Sequence, residues 1–233
     1  MKETRFRSGM LVFPNLTQLD LTGPYEVLAR LPDAETLLLW KTLEPVRSEH
    51  GLTILPTATF NSCPTLDLVF VPGGPGINPL LEDAEVLAFL RCAAAEAPYV
   101  VAVCTGSLVL GAAGLLRARR ATSHWMSRDL LRSFGAEPVA ERVVVDGKFF
   151  TGGGVTAGID VALTVAAEIA GKDTAEAIQL GIEYDPAPPF ASGSPEQANP
   201  AVVAAVRARA EPRQRDRAER VARAVVELSQ QAG

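Results

Sequence analysis

Tyr99-Val100-Val101-Ala102-Val103-Cys104-Thr105-Gly106-Ser107-Leu108-Val109-Leu110-Gly111-Ala112 is the stretch whose reading decides the fold. An apolar, β-branched run halts at one cysteine and passes at once into a Gly/Ser/Leu/Ala segment suited to a helix. A strand-to-helix turn this sharp lifts the turn residue out of the sheet at the helix N-terminus, where the macrodipole favours a thiolate over a thiol. Cys104 is therefore the first candidate nucleophile. Most free cysteines are small core residues, but the end of a strand before a glycine-containing helical turn is an unusual place for mere filling.

Working outward, the same alternation repeats. Met10 to Phe13 reads as a first strand ended by Pro14-Asn15, and a helix follows around Thr22 to Leu31, with Thr22 as N-cap and Pro24 in its first turn. On this reading Asp20 lies on the loop between the two. Glu35 to Thr42 reads as a second strand, and Val46 to Ile54 as a hairpin around Glu49-His50-Gly51. Leu66 to Val71 is a buried strand closed by Pro72-Gly73-Gly74-Pro75-Gly76, and Leu80 to Ala97 carries helical spacing. After Cys104 come a helix over Ser107 to Leu116, an extended piece through Thr122-Ser123-His124-Trp125, and a helix near Ser127 to Phe134. Arg142 to Phe150 reads as a hairpin with Asp146-Gly147 at its turn, followed by helices over Ala157 to Ala170 and Asp173 to Tyr184. A proline-rich surface loop, Asp185 to Pro195, leads to a charged helical extension over about 196–233, whose helix spans Pro200 to Gln230.

Strands alternating with helices imply an α/β fold, a mostly parallel sheet sandwiched by helices. At 233 residues and 48% hydrophobic, the chain suits a single domain spanning 1–233. Ligands in such sheets bind outside the carboxyl ends of the strands. Asp20, Gly73-Gly74 and Cys104 each follow a strand and so share that rim.

The formal charge of -5 argues against a nucleic-acid partner. No apolar run reaches the roughly 18 residues of a membrane span, and the charged start Met1 to Arg7 is not followed by a signal-peptide core, which places the protein in the cytoplasm, away from membranes. Three cysteines without CxxC spacing and two histidines argue against a disulfide framework and a metal site. Cys63 and Cys92 are assigned to structure.

At the rim, Asp20 suits a proton-handling role, because a carboxyl desolvated beside a thiolate has its pKa raised and shares a proton with the sulfur. Its competing reading is charge complementation of a helix N-terminus. The amides of Gly73, Gly74 and Thr105 are candidate donors to a ligand, against a plain tight-turn role for the glycines. Thr105 offers its hydroxyl either to the sulfur or as a helix cap. His124 is the commoner kind of cysteine partner but equally suits a loop tether, and His50 reads as solvated. Gly152-Gly153-Gly154 lacks the order of a nucleotide-binding loop and reads as a tight turn. Trp125, Ile159 and Phe190 are candidate pocket walls.

Together, Leu19-Asp20-Leu21-Thr22-Gly23-Pro24-Tyr25-Glu26, Val71-Pro72-Gly73-Gly74, Val103-Cys104-Thr105-Gly106-Ser107 and Ala121-Thr122-Ser123-His124-Trp125 resemble the DJ-1/PfpI superfamily over most of the chain. The resemblance implies a flavodoxin-like, class I glutamine amidotransferase-like fold with a cysteine nucleophile elbow. Asp20, where many relatives carry glutamate, and Thr105, where the peptidase-like branch carries histidine, resemble the branch that hydrates isocyanides. That branch implies a cofactor-free homodimer acting on a small-molecule isocyanide, with Cys104 as nucleophile, Asp20 as acid/base and Thr105 in the site. Gly73, Gly74, His124 and Trp125 become the substrate-binding candidates. The same signatures also resemble the ligand-sensing domain of AraC-type regulators, and a glyoxalase of the superfamily is a further alternative.

Overall fold

The computed structural model describes residues 5–231. The charged start Met1 to Thr4, on which part of the localisation reading rests, and the last two residues lie outside them. In chain order the elements are β1 (Phe6–Leu11), α1 (Gln18–Leu28), β2 (Ala34–Trp40), β3 (Val46–Arg47), β4 (Thr53–Ile54), β5 (Ala58–Thr59) and β6 (Leu68–Val71). There follow α2 (Ile77–Leu80), α3 (Ala84–Glu96), β7 (Tyr99–Val103), α4 (Gly106–Ala112), β8 (Arg120–Ala121), β9 (Glu137–Pro138), β10 (Val143–Asp146) and β11 (Phe149–Gly152). Three helices close the chain: α5 (Ala157–Ala170), α6 (Lys172–Gly181) and α7 (Pro200–Gln231).

The central sheet has seven strands in the order β10-β11-β7-β6-β1-β2-β5. Only β10 runs antiparallel to its neighbour. β6 is buried along its whole length and β7 beyond its first residue, as expected of parallel strands covered on both faces. Helices α1, α5 and α6 pack as one group, and α2, α3, α4 and α7 as another. The α1 and α5 backbones press together where Ile159 fills the space beside Gly23 and Pro24 lies against Gly158.

Several boundaries differ from the sequence reading. Helix α1 starts at Gln18, with Thr17 and not Thr22 at the N-cap, so Asp20 sits in the first turn of the helix and not on a loop. Pro24 is inside this helix, its ring against Gly158, which compensates for the donor that proline lacks. The segment expected as one helix from Leu80 is two, because Asp83 caps a new start by accepting from the Val86 N–H at 3.2 Å. Helix α4 ends at Ala112, before Gly114 at φ +78°, and Arg128–Phe134 winds as a 3-10 helix ended by Gly135 at φ +77°.

Asp83 also holds Lys41 at 2.6 Å, tying the end of β2 to the start of α3. The D83A variant loses the cap and this partly buried ion pair together. It is expected to be less stable by about 1–2 kcal/mol in urea unfolding, with the unfolding slope unchanged.

Candidate active site

Three chain segments meet at the C-terminal rim of the sheet. β7 delivers Cys104, whose φ of +55° is a left-handed conformation that non-glycine residues seldom adopt. The strained turn is held from every side. The Cys104 N–H donates to the Gly152 carbonyl at 3.1 Å, and its carbonyl accepts from the hydroxyls of Ser123 at 2.8 Å and Ser107 at 3.2 Å. Two residues on, Gly106 has no alternative, because a Cβ there would stand 2.2 Å from the Val71 carbonyl oxygen. The Cys-Thr-Gly-Ser run is therefore what lets the elbow press against β6.

β6 delivers Gly73 and Gly74. A Cβ on Gly73 would lie 2.6 Å from the Thr105 nitrogen, 2.8 Å from Asp20 Oδ2 and 2.8 Å from Cys104 Cβ, so all three groups converge on one bare backbone position. α1 delivers Asp20, which is fully buried. Its Oδ2 accepts from the Gly73 N–H at 3.0 Å. Its Oδ1 is buried without a hydrogen-bond partner, and the Cys104 side chain meets the carboxyl across Gly73.

Burial pushes the Asp20 carboxyl up from 3.8 to about 7, aided by the charge of Glu49 and opposed by contacts with Cys104 and the Gly73 amide. The Cys104 thiol is pushed well above its ordinary value, first by burial and then by the Asp20 charge, against the backbone of Thr105 and the positive charge of Arg217. The expectation that the helix start alone would favour a thiolate is thus corrected. Helix α4 is short, and desolvation outweighs its dipole. The two groups titrate as a pair: fully protonated below about pH 7, and sharing a single proton above it.

The other expected residues are placed as follows. The Thr105 hydroxyl bonds to the Gly74 backbone, with the N–H at 3.1 Å and the carbonyl at 3.3 Å, and so neither reaches the sulfur nor caps α4. The Gly73 and Gly74 amides are thereby both engaged within the protein. His124 lines the pocket with Cys104 and accepts from the Met126 N–H at Nδ1, 3.3 Å away. Burial and the charges of Arg217 and Arg213 push it down to about 4, so it is a neutral imidazole at physiological pH. His50 is exposed at the pocket mouth. Trp125 stands outside the Cys104 pocket in an adjoining cleft, with the Arg207 guanidinium 5.0 Å from its ring. Phe190 is exposed, and Ile159 serves the α1/α5 contact.

The pocket over Cys104 encloses about 270 Å³, enough for a small molecule. One wall comes from α7, through Arg213, Gln214 and Arg217, which the sequence reading left in a charged extension without a site residue. Arg217 is buried, at helical register with the buried Ala210, Val221 and Ala224. That register is the signal that could have singled it out. Among the described residues no group of three or more His, Cys, Asp or Glu is placed to hold a metal, and no helix is long and apolar enough to cross a membrane.

A strained cysteine elbow at the rim of a parallel sheet, with an acid from the first helix beside it, defines the class to which the chain belongs. Residues 8–168 match the DJ-1/PfpI family, and the chain belongs to it. It is 58% identical over 221 residues to the isonitrile hydratase of Pseudomonas putida, covering 95% of this chain and 97% of that protein. The crystal structure of a ThiJ/PfpI family protein from Pseudomonas syringae superposes with a TM-score of 0.91 at 44% identity, over 93% of this chain and 90% of that one. The HTH-type transcriptional regulator GbdR of Pseudomonas aeruginosa is 32% identical over 185 residues, 76% of this chain but 50% of the regulator.

The buried carboxyl has a consequence for stability. Its value is raised on folding from 3.8 to about 7, so its contribution is fully present below about pH 4 and is lost as pH rises through 7. The loss is about 4 kcal/mol at about 1.4 kcal/mol per unit. D20N keeps an acceptor for Gly73 without the charge. It is expected to be more stable than the native protein at about pH 8 and to match it near pH 4 in denaturant titrations. Equal stability at the higher pH would overturn the assignment.

Proposed function

We propose that this chain is an isonitrile hydratase, adding water to an isocyanide to give an N-substituted formamide, with Cys104 as nucleophile and Asp20 as its proton shuttle. The observation that carries the reading is the buried Cys104–Asp20 pair, brought together across Gly73. The likeness to the Pseudomonas putida enzyme over nearly the whole chain supports the same reaction.

The chemistry of R–N≡C suits the pair. Its terminal carbon accepts a nucleophile and must also gain a proton. The form of the pair that reacts holds the proton on Asp20 and the charge on sulfur. The thiolate attacks the carbon, the Asp20 proton goes to that same carbon, and a thioimidate, Cys104–S–CH=N–R, results. Asp20, now a carboxylate, takes a proton from water as the hydroxide oxygen adds to the thioimidate carbon, and passes that proton to the nitrogen. Collapse of the tetrahedral adduct breaks the C–S bond, the sulfur leaves as thiolate, and the hydroxyl proton returns to Asp20. One water is consumed and the pair is restored.

The neutral His124 fits this scheme better than a peptidase-like one, because it neither hydrogen-bonds the thiol nor carries a charge at physiological pH. Thr105 supports the pair indirectly, by fixing Gly74 and with it the neighbouring Gly73 amide that holds Asp20 Oδ2.

Purified protein mixed with cyclohexyl isocyanide is expected to form the formamide, and C104A to form none. D20N is expected to lower kcat/KM by roughly 10²–10⁴-fold, the usual worth of a positioned acid/base. Because the pair must lose one proton to become active, the native kcat/KM should rise with pH through about 7. Failure of the native protein to exceed C104A would overturn the reading. Conversion of methylglyoxal to lactate would replace it with a glyoxalase, and ligand binding without turnover with a sensor of the regulator type.

A further inference from the structure

We infer that Arg217, supplied by α7, is the buried counter-charge of the Cys104–Asp20 pair and keeps that pair in its singly protonated, reactive form. The inference rests on Cys104 being the nucleophile and is independent of which electrophile it attacks.

The Arg217 side chain is 2% exposed as a residue and lines the same pocket as Cys104. Its Nε donates to Asn78 Oδ1 at 2.8 Å and its Nη1 to Ser127 Oγ at 2.8 Å, both neutral acceptors. Among the described residues no carboxylate lies within ion-pair distance of it. The contrast along α7 is instructive. Arg215, Arg220 and Arg223, all more exposed, pair with Glu211, with Asp216 and Glu82, and with Glu82 respectively. Arg217, the buried arginine of α7 and so the one most in need of an anion, has no contacting acid among the described residues, and an isolated buried charge is strongly unfavourable.

A census of the pocket's charged and titratable groups leaves one candidate. Glu49, from the β3–β4 turn, is partly exposed and accepts from the Thr17 hydroxyl, and His50 beside it is exposed. His124 is neutral, and Arg213 is a second cation, exposed at the mouth. Asp216 is taken up by Asn78 Nδ2 at 2.7 Å and Arg220 at 3.0 Å, and its charge favours the guanidinium less than that of Cys104 does. What remains is the Cys104–Asp20 pair. Holding one proton, it carries one negative charge, which balances one guanidinium in the same buried pocket. The interaction is reciprocal: the Arg217 charge favours the thiolate, and the thiolate favours the guanidinium. Burial lowers Arg217 only to about 10, so it stays charged under working conditions.

The hydrogen-bond chain behind Arg217 reads as its support. Asp216 orients the Asn78 amide, and that amide presents its oxygen to Nε while Ser127 holds Nη1. The device joins α7 to α2 and to the loop after β8, and Arg217 lies beyond the residues 8–168 matched by the family. It therefore adds to the common elbow an element from this chain's last helix.

The test measures alkylation of Cys104 by iodoacetamide against pH, in a C63S/C92S background so that Cys104 alone reacts. No isocyanide is involved. The native profile should rise with a midpoint near 7. R217Q is expected to move the midpoint up by about one unit, making alkylation at pH 7 about fivefold slower, while R217K holds it. The N78D/D216N exchange leaves Arg217 in place but puts a carboxylate on its Nε, and is expected to shift the midpoint in the same direction. It decides the matter if R217Q does not fold. A native-like midpoint in folded R217Q, or in the exchange variant, would overturn the inference, as would equal shifts in R217Q and R217K. A shifted midpoint in a protein that hydrates no isocyanide would sustain the inference and remove the substrate assignment.

Discussion

Room for two missing methyl groups governs the site. At Gly106 the elbow touches the Val71 carbonyl, and at Gly73 the elbow, the first helix and the loop after β6 touch one another. The chain can close this tightly only where a side chain is absent, and the closeness has chemical consequences. It excludes water from Asp20, which raises its pKa, and it seats the carboxyl beside a sulfur that would otherwise titrate alone. The conformational strain at Cys104, about 1–3 kcal/mol for such a residue, is sustained by the Gly152, Ser107 and Ser123 contacts. Packing, strain and acidity are thus one problem with one geometric solution.

Labour around the pocket is divided by origin. The sheet rim contributes Cys104, Gly73 and the neighbouring Asp20, all from the part of the chain shared with the family. The last helix contributes a wall and a cation. His124, held neutral in between, adds a polar surface without adding charge. This separation lets the electrostatics of the pocket change without disturbing the elbow, since Arg217 is anchored by Asn78 and Ser127 and not by the reacting residues themselves.

The alternation of strands and helices, the elbow at Cys104 and the common rim were all legible in the sequence, because each follows from local pattern and from one topological rule. Asp20 was found, but its setting was misjudged. The pattern at Thr22-Gly23-Pro24 looked like a helix start, whereas tertiary contact of Pro24 with Gly158 allows proline inside the helix. The Thr105 hydroxyl and the Gly74 amide proved to serve one another, and the Gly73 amide to serve Asp20, pairings across 31 and 53 residues that no local motif encodes. Arg217 stayed hidden because the register it shares with Ala210, Val221 and Ala224 is a faint apolar stripe in a helix crowded with arginines, and the docking of that helix is what buries it.

That docking also sets an order of events in time. Residue 217 leaves the ribosome more than a hundred residues after Cys104, and α7 packs against α2 and α4, which are made long before it. While the chain is growing, the cysteine elbow has no pocket wall on that side and no guanidinium near it. The pocket over Cys104 is consequently complete only on a chain that has folded to its last helix.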